Sequence, residues 1–175
     1  MKKLNKKGFT LIELLAVIVI MGILMMVAIP AVSKYMENSR KDTYVQTVKQ
    51  YVSAVETAYS GDMLECQQPT GNYHYISMQE ARALLEKGGS SPYDKKALDG
   101  MIFIIDDGNG NVTFNVWSTD SKNNSIRNGL YNDLDRKSVL QNGLPFTPTK
   151  AVTGSFSYSG FDSSMRATYY GCAAK

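Results

Sequence analysis

The chain has 175 residues, of which 43% are hydrophobic and 20% charged, enough for one folded domain beyond a long helix but little room for two. Its formal charge of +3 comes from 19 Lys and Arg against 16 Asp and Glu, and four of those bases (Lys2, Lys3, Lys6 and Lys7) lie in the first seven residues. Removing them leaves 15 bases against 16 acids, so the body of the protein has no basic excess and nucleic acid is not indicated as a partner.

After Gly8 the chain is apolar to Val32, apart from Thr10 and Glu13. About 24 residues of helix span roughly 36 Å, enough to cross the hydrocarbon core of a bilayer. The lysines before it predict a cytoplasmic N-terminus. A cleavable secretory signal would have a shorter apolar run of roughly 7–15 residues, ending at a small-residue site. A plain signal anchor would leave Glu13 unexplained, since a carboxylate deep in a membrane helix costs about 2.5–3.5 kcal/mol on insertion scales.

Lys6-Lys7-Gly8-Phe9-Thr10-Leu11-Ile12-Glu13-Leu14-Leu15 resembles the class III signal of type IV pilins and pseudopilins. The resemblance covers about 30 residues. It implies cleavage after Gly8 by a prepilin peptidase on the cytoplasmic face and methylation of the new amino group of Phe9. Glu13 falls at the family's acidic position, where it serves assembly. Gly22 and Pro30 fall where the family often has helix-loosening residues. Implied partners are other pilin subunits in a helical filament, the peptidase and methylase, the pilus assembly platform, and the cytoplasmic membrane before assembly. No cofactor and no enzymatic activity are implied.

Beyond Pro30, the residues Val45, Val48, Tyr51, Val52, Val55, Ala58 and Tyr59 recur at steps of three and four, predicting an amphipathic continuation of the helix to a stop at Gly61. Leu64 to Tyr73 reads as a loop carrying Cys66. Ser77-Met78-Gln79-Glu80 is a capping-box pattern, predicting a helix from Met78 to Lys87 closed by Gly88-Gly89. Met101–Ile105 and Val112–Trp117 read as a β-hairpin around a Gly- and Asn-rich turn, Ser118 to Gly129 as a polar loop, and Leu130-Tyr131 and Ala151–Tyr158 as edge strands. The expected fold is α+β, a long N-terminal helix packed by its second half on a small antiparallel sheet, as in pilins. The expected divisions are a leader at 1–8, an apolar helix at 9–32, its amphipathic continuation at 33–61, and a head at 62–175.

Cys66 and Cys172 lie past the membrane span, where a disulfide is the expected state; two buried thiols are the alternative. Many pilins close a loop near the C-terminus, whereas this pairing would tie the two ends of the head together. Catalytic constellations are lacking. His74 is the single histidine, so no zinc site or histidine triad assembles from sequence, and no metal ligand is assigned. Asp107, Asn109 and Asn111 alternate as in a calcium loop, but Val112 replaces its glycine and Ser118 its glutamate, so a turn is the better reading. Three functions remain: a type IV pilus subunit, a pseudopilin of a type II secretion or DNA-uptake machine, and a membrane-anchored binding or enzymatic domain.

Overall fold

A computed structural model describes residues 8–67, 73–141, 155–158 and 167–175. The chain divides into two compact units, Met1–Ser39 and Arg40–Lys175. Helix α1, Leu11–Ser60, runs through the boundary between them without interruption. In the first unit it is exposed on every side, from Leu11 at 86% to Met36 at 51%.

In the second unit α1 buries one stripe: Tyr44, Val45, Thr47, Val48, Tyr51, Val52, Val55 and Ala58. Neither Gly nor Pro interrupts Ala31–Ser60, and the three- and four-residue spacing keeps these side chains on one face. Tyr44 and Thr47 widen the stripe beyond the periodic set read from sequence. The helix closes in a Schellman arrangement, in which Met63 N–H reaches the Ala58 carbonyl at 2.8 Å and Asp62 N–H the Tyr59 carbonyl at 3.3 Å. The left-handed residue is Asp62 (φ 52°), one position after the expected Gly61.

Among the described residues, seven strands form one sheet: β1 (Leu64–Cys66), β2 (Tyr73–Ser77), β3 (Asp99–Asp106), β4 (Val112–Thr119), β5 (Ser125–Leu130), β6 (Ser155–Tyr158) and β7 (Ala167–Ala174). Their order is β1-β7-β2-β3-β4-β5, with β6 also pairing β7. The expectation of an antiparallel sheet needs correction. The sheet is mixed, because β7 returns parallel to β2 through His74↔Tyr170 and Tyr75↔Gly171. Leu64–Cys66 is strand rather than loop, and the supposed polar loop contains β5. The β3–β4 hairpin holds its register from Asp99↔Thr119 to Asp106↔Val112. Of the expected Ala151–Tyr158 strand, Ser155–Tyr158 is β6, and residues 151–154 lie outside the described set.

The predicted helix after Ser77 is short. Helix α2 is Met78–Ala81, capped by the Ser77 hydroxyl oxygen accepting from Glu80 N–H at 3.1 Å, and it passes into a 3-10 turn at Arg82–Leu84. Leu85 is extended, so that Leu84 and Leu85, which a continuing helix would turn apart, both pack against the core. Gly88 and Gly89 follow with positive φ.

The core lies between α1 and the sheet: the α1 stripe meets Ile76, Met78, Leu98, Ile102, Ile104, Phe114, Val116 and Ile126. The two fully buried tyrosines of α1 carry their hydroxyls to loop carbonyls. Tyr44 Oη donates to the Asn124 carbonyl at 3.1 Å and lies 3.3 Å from Ser118 Oγ, and Tyr51 Oη donates to the Gly89 carbonyl at 2.8 Å. Burial pushes the Tyr44 phenol well above its ordinary range, so it remains a donor. On the surface Arg136 grips Asp42 of α1 through two guanidinium nitrogens, Nε and Nη2, and these hydrogen bonds hold the Asp42 carboxyl below its usual range.

Candidate functional site: an unburied apolar helix and its lone carboxylate

Residues from Phe9 to Met36 present an almost continuous apolar surface that no described residue covers. A monomeric soluble protein rarely leaves so large a contiguous patch open, so lipid or other helices must cover it. By length and composition α1 contains one stretch able to cross a membrane.

Its start is built by Thr10 and Glu13. Glu13 Oε2 accepts from Thr10 N–H at 2.8 Å and from the Thr10 hydroxyl at 2.7 Å, while Thr10 Oγ1 accepts from Glu13 N–H at 3.3 Å. This is a reciprocal capping box, and it places the carboxylate against the partial positive charge of the helix N-terminus. Thr10 is not singled out by the sequence reading, although Thr10-Leu11-Ile12-Glu13 carries the signal in plain form: a hydroxyl residue, then an acid three places on.

Gly8 has no atom within 4 Å of where a Cβ would stand, and neither has Gly22. Neither glycine is therefore demanded by packing within the chain. Pro30 sits inside α1, which stays continuous around it; lacking an N–H, it leaves the Met26 carbonyl without its usual helical donor.

In the second unit Cys66 and Cys172 form a disulfide. They stand directly opposite in the β1–β7 ladder. The bonds from Gln67 N–H to the Gly171 carbonyl and from Lys175 N–H to the Met63 carbonyl, both 3.0 Å, mark the hydrogen-bonded pairs. The cysteines consequently occupy a non-hydrogen-bonded pair, where opposed side chains approach most closely. The bridge closes a separation of 106 residues and pins the first strand to the last.

One other candidate resolves as structural. Asp107 Oδ1 accepts from the N–H groups of Asn109 and Asn111 at 2.8 and 3.1 Å, and Asn111 Nδ2 donates to Asp107 Oδ2 at 2.8 Å, so the supposed calcium positions satisfy one another as a turn. His74 lies on β2, half-buried, with its ring 6.4 Å from that of Tyr59. Burial holds its imidazole below the usual range, against the pull of Asp106.

A long apolar helix leading into an α+β head is the architecture of pilin-like proteins, and the comparison with known families agrees. Residues 3–29 match the family described as the prokaryotic N-terminal methylation motif. The chain thus carries the class III signal of type IV pilins and pseudopilins, a signal of structural subunits that are membrane-anchored as precursors. No solved structure matches the chain.

Proposed function

We propose that this protein is a structural subunit of a type IV pilus, not an enzyme. Residues 1–8 form a leader removed by a prepilin peptidase, and the freed amine of Phe9 is then methylated. The precursor sits in the cytoplasmic membrane with its N-terminus inside, and assembly moves it to a cell-surface filament. Residues 9–32 form the membrane and assembly helix, 33–61 its amphipathic continuation, and 62–175 the head. The observation that carries this reading is the uncovered apolar first half of α1 with one carboxylate at its start. The disulfide and the sizeable polar head favour a pilus over a pseudopilus.

In a bundle of such helices the apolar surfaces cover one another and Glu13 faces the positive amine of a neighbouring Phe9. The attraction is strengthened by apolar surroundings, where a unit charge pair is screened far less than in water. Glu13→Gln and Glu13→Val test it. Both precursors should still lose residues 1–8, as read by mass spectrometry, yet remain in the membrane with surface filaments lost or sharply reduced. Normal filaments from a fully cleaved Glu13→Val protein would remove the charge from the assembly mechanism.

A further inference from the structure

Three neighbouring strands present a set of soft metal ligands that no local sequence pattern brings together. Cys66 of β1 faces Cys172 of β7, and His74 of β2 stands one strand further on, next to Tyr170 of β7. Strand alternation puts His74 on the same face as Ile76, the face that meets α1 and also holds Cys172. One ligand atom from each of Cys66, His74 and Cys172 lies within 4.8 Å of the others. His74 Nδ1 is shut off from solvent and has no hydrogen-bond partner, an unusual state for a ring nitrogen.

We infer that, in the dithiol form in which the chain is synthesised, Cys66, Cys172 and His74 bind one zinc ion, and that the disulfide later replaces this metal clasp. Two thiolates and one imidazole are ligands zinc prefers, leaving a fourth position to water. Tetrahedral zinc with bonds of about 2.3 Å to sulfur and 2.0 Å to nitrogen needs its ligand atoms roughly 3.5–3.8 Å apart. Side chains opposed in a non-hydrogen-bonded pair have Cβ atoms about 4.5–5.5 Å apart, so the two sulfurs reach that spacing by χ1 rotation, without moving the ladder. On binding, each thiol gives its proton to water and each sulfur donates a lone pair. On oxidation, the two sulfurs give two electrons to an acceptor disulfide, which takes two protons from water and leaves as a dithiol, and the ion is released. Either clasp ties β1 to β7, so the head is closed before the bridge exists.

The test uses the full chain in detergent micelles, reduced by a water-soluble phosphine that takes oxygen from water as the disulfide becomes two thiols. Cobalt(II) is the probe. The reduced protein should bind one cobalt per chain with thiolate-to-cobalt charge-transfer bands, zinc should displace it, and the oxidised protein should show no such bands. His74→Gln, shown by circular dichroism to fold normally while oxidised, should weaken cobalt binding by about tenfold or more. Should the reduced chain unfold, zinc must restore its circular dichroism in the wild type and not in His74→Gln. Absence of the bands from reduced wild type, failure of zinc to restore an unfolded reduced chain, or a smaller effect of His74→Gln would each overturn the proposal.

Discussion

Reducing the Cys66–Cys172 bridge, or replacing both residues by alanine, should cost the head much of its stability without altering its sheet. The bond joins residues separated by 106 positions, and a loop of that length corresponds to about 4.8 kcal/mol in the chain-entropy model. Native geometry opposes little of this, because the cysteines already face each other in a ladder held by flanking backbone bonds. Taking about 3 °C per kcal/mol for a domain of this size, the thermal midpoint should fall by roughly 15 °C at most, and by about 6 °C if only 2 kcal/mol is realised. Near-ultraviolet circular dichroism of the full chain in micelles, with a chelator present, reads the midpoint. Urea unfolding supplies the second readout: a released unfolded chain exposes more surface, so the slope m should rise. A midpoint within about 2 °C of the oxidised protein would show that the β1–β7 ladder and the Lys175 contacts alone hold the ends. A large loss with unchanged m would place the effect in native packing around the buried Cys172, not in chain entropy.

Tyr44→Phe should destabilise the head by about 0.5–1.5 kcal/mol in urea unfolding, because it removes one buried hydrogen bond while leaving the ring in place, and the Asn124 carbonyl keeps its bond from Asp120 N–H. Gly100→Ala should cost about 3–5 kcal/mol or prevent folding, measured the same way. Gly100 has φ 139°, and a Cβ there would meet the Trp117 carbonyl oxygen at 2.0 Å, so strain and overlap add. Gly8→Arg should leave the fold and thermal midpoint unchanged, since a Cβ at Gly8 meets nothing, yet mass spectrometry should find residues 1–8 still attached. A shifted midpoint in that variant would mean that position 8 serves the fold as well as processing.

What was legible in the sequence followed local periodicity. The α1 stripe repeats at helical spacing for about four turns, and β3 and β4 combine apolar or alternating runs with a Gly-rich turn, so both announce themselves. Strand β7, Ala-Thr-Tyr-Tyr-Gly-Cys-Ala-Ala, has small residues and no alternation; it is strand because β1, β2 and β6 surround it. Strand β5 is polar because it is an edge, with Ile126 as its buried anchor. Tyr73–Ser77 concealed β2, whose partners are β3 and the distant β7. The same non-local pairing explains why His74 could not be placed beside the cysteines. No spacing among positions 66, 74 and 172 encodes adjacency; only the return of β7 between β1 and β2 creates it. The cap at Thr10 is different, being encoded within four residues.

In the proposed precursor, that cap bears on how a charged residue survives in the membrane before assembly. An isolated carboxylate at such a position is costly because the hydrocarbon offers no donors. Glu13 brings two of its own, the Thr10 N–H and hydroxyl, and sits at the helix end where the dipole favours negative charge. Neither donor lies in the leader, so both persist after a cut between Gly8 and Phe9. A neighbour's Phe9 amine would therefore compete for a carboxylate that already has partners, in place of rescuing a bare one. The two arrangements are compatible, because a carboxylate offers about four acceptor positions and Thr10 takes only two, both at Oε2. In the proposed filament, Oε1 is the oxygen left for an adjacent subunit. On this account the local cap makes the monomer tolerable in lipid, and the remaining acceptors make the filament preferable to it.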